Sequence, residues 1–265
     1  MKKTIKALAQ KILPASLYAQ LTATSARLYI ERVERGRGLD VLTKRYVAAC
    51  GRTIADGPFK GMIYSPLADH RHVGARLLGT YEYEIAGAVE KCCSTDYEQV
   101  IDIGCAEGYY AVGFALRLPR ARVKAFDTDS WARRACREVA VLNKVQDRVS
   151  VEGFCAADRL RSMVEGSRAL VILDCEGYEQ VMLNSDVVNA LRQCDLIVEL
   201  HDAPPTPEHP LVERFRATHE IELIPSVPRT VTGARDCGPI TVDEQLQMMD
   251  EMRHAWQGWA IIRPK

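Results

Sequence analysis

Apolar residues in the middle of the chain gather into short runs, spaced by lengths that a helix can fill. The first run, Val100 to Ile103, stops at Gly104-Cys105-Ala106-Glu107-Gly108; a stretch of helical periodicity follows, and a second apolar run ends on Asp127. This pattern predicts a strand, a tight turn, a helix and a second strand, which is half of a nucleotide-binding α/β fold. A helix over 131–142, a strand over 149–154 (VSVEGF), a buried strand from Leu170 to Leu173 and another over 195–198 continue the alternation. Apolar runs of this kind belong to parallel strands covered on both faces.

The flanks are patterned differently. Residues 4–13 place Ile5, Leu8, Ile12 and Leu13 on one helical face, Pro14 breaks the run, and a second helix over 16–34 carries Leu17, Leu21 and Leu28 on its apolar side. Gly36 and Gly38 end it, and a short helix over 39–50 follows. The Gly-Pro signal in GPFKGMIYS predicts a hairpin over 57–65, and Tyr81, Ile85, Ala86 and Val89 recur at helical spacing just before the first core strand. That helix suits a lid over a ligand or an exposed surface helix. Beyond the core, APPTPEHP (203–210) reads as a loop, followed by a helix over 210–218, a strand over 221–225 and a last strand from Trp259 to Ile262. Between those two strands, residues 226–257 hold Arg229, Arg235 and a helix over 242–254; this segment is expected either to cover the substrate or to pack as a surface helix with solvated arginines.

Composition narrows the class. With 265 residues, 47% hydrophobic content and 26% charge, the chain suits a globular domain with an extension. The net charge is zero, yet residues 1–60 hold twelve Lys/Arg against four acids, a net of +8 that the remainder balances. Either a basic arm docks on an acidic body or it attracts an anionic partner. The same basic amphipathic start is open to docking, to a homodimer contact through the N-terminal helices, or to a place on a membrane surface. A neutral whole without an aromatic-interleaved basic patch argues against nucleic acid. Nine cysteines without a C-x-x-C pair point to a reducing compartment and no structural zinc. No long apolar run or secretory leader is visible, so a cytoplasmic location without membrane insertion is expected.

The loop spacing selects the ligand. From Gly104, the third and sixth positions of a dinucleotide fingerprint are Ala106 and Tyr109, a poor match. The stretch instead reads acidic-x-Gly-x-small-x-Gly, as Asp102, Gly104, Ala106 and Gly108, with Asp127 nineteen residues after Gly108. It resembles the cofactor loop of the class I S-adenosylmethionine-dependent methyltransferases. The resemblance implies a Rossmann-like α/β sheet of seven strands, the last antiparallel, over 95–265, preceded by a basic helical extension (1–56) and the 57–94 hairpin and lid helix. It places Asp102 near the methionyl ammonium, Gly104, Cys105, Ala106, Gly108 and Tyr109 around the cofactor loop, and Asp127 with Thr128 at the ribose. It also sets Cys155 or Ala156 beside the adenine, with Asp158 either reaching the exocyclic amine or capping the next helix.

Two adjacent strand ends carry acid and imidazole groups: Asp174 after the fourth strand, and Glu199, His201 and Asp202 after the fifth. Ligands of open α/β sheets bind at that edge. Asp174, Glu176, Gly177 and Glu179 (Asp-x-Glu-Gly-x-Glu), with Val-Glu-Leu-His at 198–201, resemble the FkbM-type methyltransferases over about residues 95–224. That likeness implies O-methylation of a small-molecule or glycan-type hydroxyl. The departures are Glu107, where an aliphatic residue often stands, and the two cysteines beside the cofactor. His201 is then the candidate base, with Asp174 and Glu199 positioning substrate or His201. The alternative is a divalent cation such as magnesium held by Asp174, Glu199 and Asp202. His70 and His72 have no third ligand nearby and are read as a loop. A noncatalytic protein of the same fold, or a methyltransferase acting on a macromolecule, are the competing functions.

Overall fold

The computed structural model describes residues 13–68, 72–201, 203–229, 240–253 and 257–265. Helices α1 (Ala15–Gly36), α2 (Leu39–Cys50), α3 (Val73–Leu78) and α4 (Ala86–Cys93) precede strand β1 (Gln99–Ile103). There follow α5 (Tyr109–Arg117), β2 (Arg122–Phe126), α6 (Ser130–Leu142), β3 (Val149–Glu152), α7 (Ala157–Val164) and β4 (Ala169–Leu173). Then come α8 (Glu179–Met182), α9 (Ser185–Ala190), β5 (Asp195–Leu200), α10 (Pro210–Phe215), β6 (His219–Pro225), α11 (Val242–Met249) and β7 (Gly258–Pro264). The sheet order is β3-β2-β1-β4-β5-β7-β6, with β7 antiparallel to both of its neighbours and the others parallel. This is the seven-stranded sheet with an antiparallel last strand that the resemblance of the cofactor loop implies.

Neighbouring residues on each strand enter opposite cores. Val100, Val123, Leu170 and Ile197 pack with α2 to α6, while Ile101, Phe126, Val171 and Leu196 pack with α7 to α10. Both faces are covered, which is why the strands read as unbroken apolar runs. Register then aligns the strand ends. Ile103 lies opposite both Phe126 and Leu173, and Leu173 lies opposite Val198. Gly104, Asp127, Asp174 and Glu199 therefore leave the sheet at one level, beside the β1–β4 switch point, where chain direction around the sheet reverses.

Three expectations need correction. The hairpin over 57–65 is instead a loop closed by a bridge between Thr53 and Ile63, so its first arm begins upstream of the Gly-Pro signal. The helix expected from Tyr81 starts only at Ala86, after Glu82 takes a left-handed φ of 47° and Tyr83–Ile85 form a single tight turn. Ile85, Ala88 and Val89 face the core. The third correction is α1, whose leucines 17, 21 and 28 point outward at 42%, 55% and 54% exposure. Its inward side is made of small residues that a hydrophobicity reading discounts. Residues 1–12, His70, Asp202 and Arg235 lie outside the described residues. Among the described residues no helix is long and apolar enough to cross a membrane.

Candidate active site

The loop after β1 owes its path to three left-handed residues, Gly104 (φ 91°), Ala106 (φ 45°) and Gly108 (φ 91°). The N–H groups of Gly104 and Cys105 both donate to the Phe126 carbonyl, at 2.8 and 3.0 Å, which binds the loop to the end of β2. The Ala106 N–H donates to one oxygen of Asp127 at 2.9 Å, and the Asp129 N–H donates to the other at 2.7 Å. Two backbone donors thus hold a carboxylate at the end of β2. Asp129 in turn caps α6 by accepting from the Trp131 N–H at 3.0 Å. Glu107, the residue out of pattern, is fully buried and takes a 2.7 Å hydrogen bond from Arg76 of α3, whose guanidinium lies over the Tyr81 ring. The departure from an aliphatic residue is an ion pair that ties the loop to the helices before the sheet.

A cavity of about 470 Å³ opens above this loop. Its floor and sides include Gly104, Asp127, Thr128, Cys155 and Asp174, together with Gly153 and Phe154 from the end of β3. The opposite wall is α1, through Tyr18, Thr22 and the alanines 15, 19, 23 and 26. Alanine lets a helix approach closely while leaving room for a ligand. Arg27 fastens this wall: its Nε donates to Asp129 at 2.7 Å, and the guanidinium stands over the Trp131 ring. Arg37 pairs with Asp250 and Arg45 with Glu244, so the described part of the basic arm, from residue 13 on, docks on the acidic body. Cys105 and Tyr109 are instead core residues, Asp102 is buried beneath the loop, and Ala156 and Asp158 are exposed. Asp158 does not cap α7. Phe154 and Tyr178, whose rings meet edge to face at 5.6 Å, line the cavity and were not singled out from sequence.

At the carboxyl edge four acids surround one imidazole. His201 Nε2 lies 3.3 Å from Asp174, 3.7 Å from Glu199 and 3.9 Å from Glu176, and its Nδ1 lies 3.4 Å from Glu179. Glu199 is bonded to Arg253, which also pairs with Glu82 and Glu251 and stands over the Trp259 ring. Arg229 pairs with Glu84 and Glu251 in the same network, so it is not the solvated arginine considered above. Glu82 and Arg253 complete this edge without any motif to announce them, since one sits in an irregular turn and the other in the segment before β7.

The charges decide the protonation states. Burial alone would lower the His201 pKa, but the Glu199, Asp174 and Glu179 carboxylates close to the ring outweigh it and raise it well above the ordinary histidine range. Burial opposes ionisation of Asp174 as well, yet His201 and Arg253 bring its pKa down to about 2. This arrangement of acids favours the protonated, donating form of His201 over the free base expected from its type. Burial, then the Asp174 charge, pushes Glu199 well above the carboxylate range. Asp174, Glu179 and His201 offer ligand atoms within 4.8 Å of one another, as do Glu82, Asp174 and Glu199. Both sets fit a divalent cation, and neither needs the Asp202 of the sequence expectation.

Burial and the Asp174 charge also push Asp102 up to about 8, and one of its oxygens has no hydrogen-bond partner. A carboxyl raised above its ordinary value contributes stability below that value and loses it as pH rises through the folded one. Asp102→Asn is therefore expected to melt above the wild type, with a difference that widens from about pH 4 to about pH 8 and is flat beyond. Thermal melts of both proteins across that range check it.

Residues 87–173 match the family model described as ribosomal protein L11 methyltransferase (PrmA). No curated protein matches the chain. Among solved structures, the O-methyltransferase TomG from Streptomyces achromogenes is similar at 14% identity and a TM-score of 0.47, over 71% of this chain and 81% of that one. An S-adenosylmethionine-dependent methyltransferase from Geobacter sulfurreducens, bound to S-adenosyl-L-homocysteine, is similar at 12% identity and a TM-score of 0.41, over 69% and 91%. Precorrin-6y C5,15-methyltransferase from Geobacter metallireducens gives 11% and 0.41, over 63% and 80%. Likenesses this distant carry no argument about the acceptor.

Proposed function

We propose that this chain is an S-adenosylmethionine-dependent methyltransferase of the FkbM type that methylates a hydroxyl of a small-molecule or glycan-type acceptor. The observation that carries the reading is one cavity bounded by Gly104, by an Asp127 held by two backbone donors, and by the Asp174 end of the His201 cluster. The residues fit the donor. Asp127 suits ribose hydroxyls, and Phe154 and Tyr178 offer apolar faces to a planar base. When bound, S-adenosylmethionine supplies an electrophilic methyl group on a good leaving group. The chain's own part is alignment of the acceptor and removal of its proton. Glu199, His201 and Asp174 form the proton-handling set. A positive charge set beside Asp174 would lower the His201 pKa toward the range where it serves as base; a divalent cation on Asp174, Glu179 and His201 would instead take His201 as a ligand and lower the pKa of an acceptor hydroxyl directly. The FkbM assignment rests on Asp174, Glu176, Gly177 and Glu179 together with the 198–201 stretch. The family match favours a second reading, a protein acceptor. A noncatalytic relative would be expected to lose the polar edge that this chain keeps.

Calorimetric titration with S-adenosylmethionine and, separately, NAD tests the reading. Saturable binding of the first alone, weakened by about 1–3 kcal/mol in Asp127→Ala, is expected. Binding of NAD in its place would overturn it. Transfer of labelled methyl to hydroxyl acceptors, but not to protein extracts, separates the two acceptor classes, and repeating it with a chelator reads out any need for a cation.

A further inference from the structure

The opposite edge of the sheet holds a second concavity, which the methyl-transfer chemistry does not use. It measures about 570 Å³ and lies where β4 and β5 begin and β7 ends. Five cations line it: Lys91 at the end of α4, Arg168 and Arg192 before the two strands, and Arg263 and Lys265 on the last strand and just after it. Asp195 is the one acidic side chain in its wall, and that carboxylate already accepts from the Tyr97 hydroxyl. A chain with no net charge has no compositional reason to gather cations here.

The arginines at the active edge are all paired with carboxylates, whereas these mostly are not. Lys91, Arg168 and Arg192 have no ion pair among the described residues. Arg192 reaches only the Asn189 amide oxygen, at 3.3 Å, and Lys265 only the Arg216 carbonyl, at 2.9 Å. Arg263 spends one nitrogen on Glu222 at 3.3 Å, while its other terminal nitrogen is buried without a partner. Like charges held around one hollow repel until an anion offsets them, and guanidinium forks bind phosphate oxygens two at a time. We propose that this hollow is a binding site for a compact polyphosphate anion, with Arg168, Arg192 and Arg263 as its principal ligands. Its shape sets it apart from a nucleic-acid surface. Strand-tracking sites combine an extended basic groove with aromatic faces for base stacking, whereas here the cations ring a pit whose tyrosine, Tyr97, is 3% exposed and tied to Asp195.

The test is calorimetry on the full chain with inorganic pyrophosphate and, in a separate arm, ADP, at about 0.1 M ionic strength. One saturable site is expected, at least about tenfold weaker in the Arg168→Glu/Arg192→Glu double variant and unchanged in Asp127→Ala. Both arginines are exposed, so the double variant should melt like the wild type. Equal binding of the two probes identifies the phosphates alone as the ligand, and tighter ADP binding identifies a nucleotide. Absence of saturable binding, unchanged affinity in the double variant, or displacement of pyrophosphate by a single-stranded oligonucleotide that binds more tightly would each overturn the proposal.

Discussion

Gly104→Ala is expected to abolish the native fold around the cofactor loop, with a loss of more than about 4 kcal/mol in unfolding free energy. A Cβ on Gly104 would stand 1.7 Å from the carbonyl oxygen of Asp174, well inside any tolerable contact. Neither partner can step aside. Gly104 is bound to Phe126 at 2.8 Å, and the Asp174 N–H donates to Ile103 at 3.0 Å, so the approach is fixed by the β1–β4 pairing itself. The φ of 91° adds strain of its own. Urea unfolding followed by circular dichroism measures the loss. Gly87→Ala is the control, because an added Cβ there meets nothing within 4 Å on the exposed side of α4, and a helical glycine gains stability on becoming alanine. The glycine usually credited to ligand approach is here required first by the protein's own backbone.

Arg253→Met should cost about 3–5 kcal/mol at neutral pH, because it removes the cation from among three buried carboxylates, Glu82, Glu199 and Glu251, while keeping an apolar stem against Trp259. The deficit has a definite pH dependence. Burial already raises the pKa of Glu82 and of Glu199, and loss of the guanidinium raises both further. Carboxyls raised in this way contribute stability below their ordinary values and lose it as pH rises through the folded ones, so the variant should recover toward the wild type as pH falls from about 8 to about 5. Adding Glu199→Gln to Arg253→Met should restore part of the loss at neutral pH. Melting curves of the three proteins across that range decide it; a pH-independent deficit would mean that packing and not charge holds Arg253 in place.

How far the chain could be read in advance followed the kind of signal each element carries. The strands were legible because β1, β4 and β5 are apolar runs with no competing periodicity, and an acid ends β2 at a fixed distance from the loop; their arrangement in one sheet came from the resemblance of that loop, not from the runs. Asp127 and Asp174, at the ends of such runs, reach the cavity. Asp102, Cys105 and Tyr109 belong to the same motif but sit beneath the loop or in the core, since motif spacing does not tell which side of a turn a residue occupies. The orientation of α1 was misread because its leucines outweigh its alanines in any hydrophobic average, although the alanines face inward. Glu82 and Arg253 were out of reach altogether. Their meeting across 171 positions is a product of tertiary closure, and nothing local encodes it.

The wall that α1 gives the cavity has a mechanical corollary. This helix forms no rung of the sheet; Arg27 ties it to Asp129, Glu34 accepts from the His72 N–H, and the Gly36–Arg37–Gly38 corner, with Arg37 paired to Asp250, leads into α2. The bonds that fix this wall are thus distinct from the rungs that hold the sheet, so a substitution can loosen the one without touching the other.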